Sequence, residues 1–461
     1  MTATLVLAQS ISDEIRKAVA YRLESAGVLL ASIVEAPNGD VRVLARKLRW
    51  IDGDAYLSRG ELSLSIKSEG YVPALAEAEK MQAVALWVHT HPGAGASPRA
   101  SAHDEKVDRQ IADLFRLRSG HHFYGAAIFS QGQTDLTFTG YLTASDGNTI
   151  RLERLWLVGE GFHLARSADS GSPELSPIFD RNIRAFGHAI QETLHELNIG
   201  IVGCGGTGSA VAEQLVRLGV RHLMLIDPDV LSATNVTRVY GSTPDDVGKA
   251  KVTVLAAHLR RIAFGVDCEE VQSTITLEPS ARRLMSCDVV FGCTDDNAGR
   301  LVLSRMPTYL LTPVIDCGVL LTSADDGTLT GIDGRITTLV PEQACLVCRD
   351  RIDLARAASE LLTPEERIRR ENEGYAPALG RTEPAVVAFT TMVGASAVGE
   401  FLERLVGYGP KPRPNEILLR LHEREISTNA SAPRQRHYCH PHSGKIGLGA
   451  TEPFLEQTWP S

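Results

Sequence analysis

Alternating strand and helix patterns predict an α/β protein of two domains, one over residues 1–165 and one over 178–450, joined by a linker at 166–177. Three observations carry that reading. From 178 onward a helix (183–194), a strand (199–202), a glycine-rich turn (Gly203-Cys-Gly205-Gly206-Thr-Gly208), a helix (209–218) and a strand (222–226) spell a βαβ unit, which implies a doubly wound, mostly parallel, Rossmann-like sheet. Residues 1–165 show their own alternation of strands and amphipathic helices. Between them, 166–177 is rich in Ser, Gly, Asp and Pro, the composition of a linker.

The elements follow in order. Residues 1–10 carry no basic stretch ahead of an apolar core, so they read as a short strand rather than a signal peptide, and a cytoplasmic location is expected. Ile15, Val19 and Leu23 recur at helical spacing, giving a helix over 12–23 with Ser12 near its cap. Strands are expected at 28–34 and 41–44, a helix at 72–81, a strand at 84–88 and a helix at 104–117. Residues 124–143 alternate apolar and polar side chains like paired strands near a sheet edge. The segment 349–381 is charged and poor in apolar residues, a helical excursion. The mildly apolar run 384–401 is interrupted by Thr390, Thr391, Gly394, Ser396 and Gly399, which suits a buried helix rather than a membrane span.

Composition narrows the function classes. The 461 residues, 43% hydrophobic and 22% charged, are enough for sizeable cores. A formal charge of -9 lacks the basic excess that nucleic acid or an anionic membrane requires, although a small anionic ligand needs only a local pocket. Eight cysteines in a reducing compartment read as thiols or metal ligands rather than disulfides.

The run Trp87-Val-His89-Thr-His91-Pro92 closes the 84–88 strand. Strand side chains alternate with period two, so both imidazoles face one side and can share an ion. Ser101-Ala-His-Asp104 follows, where Asp104 can add an oxygen ligand and leave the fourth position of a tetrahedral zinc open. Glu24, ahead of the apolar run Gly27-Val-Leu-Leu, is the candidate base for a water. Glu35 is a weaker substitute, and His103 reads as an exposed loop histidine. Together these residues resemble the JAB/MPN (JAMM) isopeptidases. The resemblance implies an N-terminal JAB/MPN α/β domain in which His89, His91 and Asp104 bind catalytic zinc, Glu24 is general base and Ser101 helps hold the tetrahedral oxyanion. The interval from Pro92 to Ser101 is longer than that family's usual spacing.

Gly203, Gly205, Gly206 and Gly208 follow a strand and open a helix, where backbone amides and the helix dipole bind phosphate. Downstream stand Asp227-Pro-Asp229, Asn235-x-x-Arg238, Gly248-Lys-Ala-Lys251 and Asp295-Asp296. That series, over residues 178–447, resembles the ThiF/MoeB family of the ubiquitin-activating enzyme superfamily. It implies ATP and Mg: Asp227 at the ribose, Asn235, Arg238 and Lys251 on the triphosphate, Asp295 on magnesium, and Arg181 crossing a homodimer interface to the partner's ATP. A carboxylate attacking the α-phosphate builds negative charge that Arg, Lys and Mg²⁺ stabilise. The family's Asn after the magnesium Asp is Asp296 here, and its Gln after the Arg is Val239. A dinucleotide site would explain the glycines but not Asn235, Arg238 and Lys251.

Cys345-Leu-Val-Cys348 and Cys439-His-Pro-His442 form two knuckles that predict a closed Cys₃His structural zinc, with His440 an alternative ligand. The family usually has four cysteines there.

Thioester-forming members carry a cysteine between such knuckles, and here none stands between Cys348 and Cys439; Tyr375 and Ala376 occupy the aligned stretch. Cys293 and Cys317 read as structural thiols. The expected function is therefore bifunctional: the first domain cleaves peptide or isopeptide bonds at the C-terminus of a small ubiquitin-like protein, and the second adenylates that C-terminal glycine without a thioester. Thr382 offers an oxyester route instead. A conjugating enzyme is an expected partner. The alternatives are sulfur-carrier activation for cofactor or cysteine biosynthesis, and a first domain that only docks the carrier.

Overall fold

The computed structural model describes all residues except 1, 62, 94–97, 133–134, 168–173, 263–264, 325, 373–384 and 461. The chain divides into two compact units: Met1–Ser172 with Tyr309–Leu311 and Ile446–Ala450, and Pro173–Thr308 with Thr312–Lys445 and Thr451–Ser461. The linker expected over 166–177 lies partly outside the described residues.

The first unit runs β1 (Ala3–Ala8), α1 (Gln9–Val19), β2 (Ala26–Glu35), β3 (Val41–Trp50), β4 (Tyr56–Arg59), β5 (Leu64–Ile66), α2 (Val72–Met81), β6 (Val84–Thr90), α3 (Ala102–Ser119), β7 (Phe123–Gln131), β8 (Leu136–Ala144), β9 (Thr149–Arg151), β10 (Arg154–Val158) and β11 (Phe162–Arg166). Nine of these strands form one sheet in the order β11-β10-β1-β3-β2-β6-β7-β8-β9. Its centre is apolar on both faces: Leu29 and Ala31 of β2 belong to one core and Val28 and Leu30 to the other. A strand covered on both sides reads as a continuous apolar run rather than an alternating one. Each such buried aliphatic side chain is worth about 1.5–3 kcal/mol of apolar transfer.

The first helix starts earlier than its sequence pattern suggested. Its N-cap is Ala8, Ser12 lies inside it with its hydroxyl donating to the Gln9 carbonyl, and Leu23 lies beyond its end, exposed.

The second unit continues with α4 (Asp180–Phe186), α5 (His188–Glu196), β12 (Asn198–Val202), α6 (Gly206–Arg217), β13 (His222–Ile226), α7 (Lys251–Arg261), β14 (Asp267–Val271), α8 (Glu278–Arg283), β15 (Val289–Gly292), α9 (Asn297–Tyr309), β16 (Val314–Ser323), β17 (Leu329–Leu339), α10 (Leu354–Glu360), α11 (Pro364–Asn372), α12 (Val387–Val406), β18 (Glu416–Arg420) and β19 (Glu425–Asn429). The single helix expected over 183–194 is two, because Gly187 adopts φ +87°, outside the helical region. The eight strands order as β14-β13-β12-β15-β16-β17-β18-β19, parallel through β16 and antiparallel beyond. Chain order reverses between β12 and β15, and such a switch point opens a crevice at the carboxyl ends of the strands. Among the described residues no helix is long and apolar enough to cross a membrane.

Candidate functional site

In the first unit, period two along β6 carries Ala85, Trp87 and His89 along one face, above the core that also takes Ala74, Leu75 and Ala78 of α2 and Phe115 of α3. The His91 backbone N–H donates to the Phe129 carbonyl at 2.9 Å, and the Ser130 hydroxyl donates to the His91 carbonyl at 2.8 Å, so the second histidine keeps the strand's register. Ser101 caps α3: its Oγ accepts from the Asp104 N–H at 3.2 Å while its own N–H donates to Asp104 Oδ2 at 2.7 Å. The helix is held one turn on by Asp108, whose carboxylate accepts from the hydroxyls of Tyr124 at 2.8 Å and Tyr141 at 2.6 Å.

These supports bring three ligand types together. His89 Nε2 lies 3.2 Å from His91 Nε2 and 3.4 Å from Asp104 Oδ1, and His91 Nε2 lies 3.7 Å from Asp104 Oδ2. Ligand atoms at about 2.0–2.1 Å from a tetrahedral zinc would stand about 3.3 Å apart, so the donor set fits that ion. Burial pushes the His89 imidazole down to about 4, which keeps it neutral and able to ligate at neutral pH. Burial works to raise the Asp104 carboxyl, but His91, His89 and the Ser101 N–H outweigh it and hold it well below the usual carboxylate range.

Glu24 sits at the edge of this group, with Oε1 3.9 Å from His91 Nε2. Its backbone is pinned from both sides: its N–H donates to the Gly60 carbonyl at 2.9 Å, and Arg59 Nε donates to its carbonyl at 2.6 Å. Burial raises its carboxyl above the usual range, against the pull of His91. Glu35, the weaker alternative, is the exposed last residue of β2.

In the second unit the glycine loop joins β12 to α6. Gly203 takes φ +94°, and a β-carbon there would lie 2.6 Å from the Cys293 carbonyl oxygen; one on Gly208 would lie 1.8 Å from the Gly203 carbonyl oxygen. A β-carbon on Gly205 would meet nothing within 4 Å, so the helix N-terminus faces open space. Asp227, at the end of β13, shapes this loop: Oδ2 accepts from the Cys204 N–H at 2.7 Å and Oδ1 from the Asp229 N–H at 2.9 Å. Burial raises its carboxyl, and Lys251 opposes that. Lys251, first in α7, is 9% exposed and donates to Asp229 Oδ2 at 2.6 Å, with Asp227 Oδ1 at 3.9 Å. Asp229 is largely exposed, so solvent screens this pair on its carboxylate side.

Arg238 lies beside the N-terminus of α6, its Cδ 3.3 Å from where a Gly206 β-carbon would be. Asn235 is buried, with Oδ1 accepting from the Ser232 N–H at 3.1 Å. Asp295 is exposed at the carboxyl end of β15, whereas Asp296 caps α9 by accepting from the Thr294 hydroxyl and the Gly299 N–H. Arg181 is exposed on α4. Cys317 is buried and Cys293 half-buried.

The zinc knuckle requires a correction. Cys345, Cys348 and Cys439 gather around His437, not His442. His437 Nδ1 is 3.5 Å from Cys345 Sγ, 3.4 Å from Cys348 Sγ and 3.3 Å from Cys439 Sγ, and the sulfurs of Cys348 and Cys439 are 3.6 Å apart. Tetrahedral zinc with bonds of about 2.3 Å to sulfur and 2.0 Å to nitrogen needs separations of about 3.8 and 3.5 Å, close to these. Successive turns closed by the His440 N–H on the His437 carbonyl and the Ser443 N–H on the His440 carbonyl carry the chain past the sulfurs. His440 therefore faces His442, ring centroids 5.4 Å apart, and its Nδ1 accepts from the His442 N–H. The C-x-x-H spacing pointed the wrong way; the signal for the imidazole that gathers with the sulfurs is the histidine two residues before Cys439. The Arg434 N–H also donates to Cys348 Sγ, and Cys345 is held down to about 4, chiefly by the Cys439 thiol. The crossover stretch with Tyr375 and Ala376, and Thr382, lie outside the described residues.

A sheet parallel through β16, with a glycine-rich loop at its switch point and the cations of Arg238 and Lys251 close to that loop, is the arrangement of a nucleotide-binding α/β protein. Residues 179–440 match the ThiF family, and the chain belongs to that family. It is 28% identical to ubiquitin-like modifier-activating enzyme 5 of Arabidopsis thaliana over 186 residues, 37% of this chain and 41% of that protein. It is 28% identical to the SAMP-activating enzyme E1 of Haloferax volcanii over 148 residues, 32% and 51% of the two chains. To the sulfur carrier protein ThiS adenylyltransferase of Escherichia coli it is 28% identical over 160 residues, 34% and 60%. The chain thus spans less than two thirds of each of these relatives. Escherichia coli MccB with ATP superposes with a TM-score of 0.45 at 19% identity, over 58% of this chain and 75% of that one.

Proposed function

We propose that the chain adenylates the C-terminal carboxylate of a small ubiquitin-like or sulfur-carrier protein, and that its first unit is a zinc peptidase acting on the same kind of C-terminus. The adenylation half is supported above all by the open N-terminus of α6 with Arg238 beside it and Lys251 nearby, held by Asp229. In this reading the α6 amides, Arg238, Asn235 and Lys251 hold the triphosphate, Asp227 takes the ribose and Asp295 holds magnesium. A carboxylate oxygen attacks the α-phosphorus, the bond to the β-phosphate breaks, and pyrophosphate leaves. Arg181 would reach a partner subunit's nucleotide in a homodimer.

The peptidase half is supported by Glu24 standing 3.9 Å from a ligand-type triad that offers three donors among the described residues. Zinc bound by His89, His91 and Asp104 would supply Lewis acidity. Glu24, its carboxyl raised by burial, takes the proton of the attacking water and passes it to the leaving amine. The Ser101 hydroxyl uses a lone pair in capping α3, which leaves its hydrogen to donate to the oxyanion. The Cys345, Cys348, Cys439 and His437 group holds a structural zinc.

A second reading, sulfur-carrier activation that ends at the adenylate, is favoured by the absence of any cysteine between Cys348 and Cys439. ATP–pyrophosphate exchange stimulated by a carrier ending in Gly-Gly tests the adenylation; a folded protein giving no exchange overturns it. A covalent adduct labile to hydroxylamine or thiol after incubation with carrier and ATP would replace the direct-transfer reading with an acyl-enzyme.

A further inference from the structure

Two arginines that take no part in the groups above converge on Gly318 at the carboxyl edge of the second sheet. Arg300 rises from the first turn of α9 and Arg335 from β17, on either side of Asp316 of β16, which is fully buried. Arg335 Nη2 donates to Asp316 Oδ2 at 2.6 Å. Arg300 Nε stands 3.4 Å from Asp316 Oδ1 without the alignment of a hydrogen bond, and its Nη2 reaches the Cys317 carbonyl at 3.4 Å. The Nε atoms of both arginines are buried and lack a hydrogen-bond partner among the described residues. A β-carbon at 318 would lie 3.5 Å from an Nη2 of each, so both forks look onto one side-chain-free position. In the ion pairs of the described residues these two guanidiniums share the single buried carboxylate of Asp316, and such a partly buried pair of forks is suited to an anionic ligand that adds a second carboxylate.

The place fits a reacting anion. Asp316 pairs with Gly292 of β15, and the next residue of that strand's end, Cys293, abuts Gly203 of the glycine loop. Gly318 therefore stands two strands from β12, which feeds the loop, with only β15 between them, and Arg300 follows Asp295 by five positions on the same connection.

We propose that Arg300 and Arg335 dock the terminal carboxylate of the acyl substrate, a glycine-ended tail, before it attacks the α-phosphate. This rests on the adenylation reading. Guanidinium forks match planar carboxylates in a two-point geometry, and the bare Gly318 leaves room for a tail without side chains. As the carboxylate oxygen bonds to phosphorus and pyrophosphate leaves, the acyl group loses its charge and the arginines lose their grip on it. The site thus holds the substrate more tightly than the product.

The test is ATP–pyrophosphate exchange by the full chain with a ubiquitin-fold carrier ending in Gly-Gly, using wild type, Arg300→Gln, Arg335→Gln and the two Lys variants. The carrier with its C-terminus amidated serves as competitor. Wild type should bind the amide at least tenfold more weakly than the carboxylate. Each Gln variant should raise the KM for carrier at least tenfold, keep the KM for ATP within twofold, and no longer tell amide from carboxylate; Lys should restore part of the difference. An unchanged carrier KM, or an effect falling on ATP instead, overturns the proposal and leaves adenylation standing. No exchange by folded wild type removes the adenylation reading itself. Should one Gln variant fail to bind ATP through misfolding, the other arginine's variants decide.

Discussion

The histidine–aspartate triad of the first unit and the cysteine–histidine tetrad of the second are both donor sets that suit zinc, yet their surroundings differ. The tetrad supplies four donors, three of them buried thiols, and the neighbouring Arg434 N–H goes to a sulfur. The triad supplies three donors and has a raised carboxyl, Glu24, beside it. Zinc chemistry separates structural from catalytic sites on this distinction between closed and open coordination. In the proposed reading the donor count and the carboxyl beside it, rather than the donor types alone, separate the two groups.

That contrast can be broken most forcefully from the closed side. Cys348→Ser should lose one zinc per chain and destabilise the second unit by several kcal/mol, seen as a fall of about 10 °C or more in its thermal transition. From the open side, Glu24→Gln should cut peptide or isopeptide hydrolysis by about 10²–10⁴ while zinc content, exchange activity and melting temperature stay as in wild type. A comparable loss of stability would make Glu24 a structural residue.

A smaller effect is expected at Glu416, which is buried and accepts a two-point pair from Arg351, just after the Cys345-x-x-Cys348 turn, at 2.9 and 2.8 Å. Glu416→Gln should cost about 3 kcal/mol by leaving the guanidinium with a neutral partner. Burial raises this carboxyl, but Arg351 and Asn429 outweigh it and bring it down to about 2 from an ordinary 4.5. Because the folded value is the lower one, the contribution is complete above about 4.5 and is lost as pH falls toward about 2. Denaturant titrations of wild type and Glu416→Gln should therefore converge in acid. The smallest effect sharpens the ligand assignment: His442→Ala should change stability by less than about 0.5 kcal/mol and leave the zinc count alone, as a surface substitution does, whereas His437→Ala should behave like Cys348→Ser.

Much of this was legible in the sequence because its signals are local. His-x-His at a strand end and the glycines between strand and helix each follow from short-range patterns, whereas the capping role of Ser101 and Asp104, which starts the helix at Ala102, was not read from them. The sheet order, with β1 between β10 and β3, depends on pairings across the chain that no local pattern records. His437 was missed because the C-x-x-H spacing says nothing of the turn closed by the His437 N–H on the Arg434 carbonyl, which leads that imidazole to the sulfurs. The break at Gly187 was missed because helical periodicity persists on both sides of it. Arg300, Asp316 and Arg335 come from three elements, and only the β15–β16–β17 register brings them together.

Metal analysis of the folded protein tests the open-and-closed account most directly. Wild type should hold two zinc ions per chain; His89→Ala and His437→Ala should each hold one, and only His437→Ala should lower the melting temperature substantially. A single ion in wild type that survives His89→Ala would contradict the account, because the first unit would then have no metal for Glu24 to work beside.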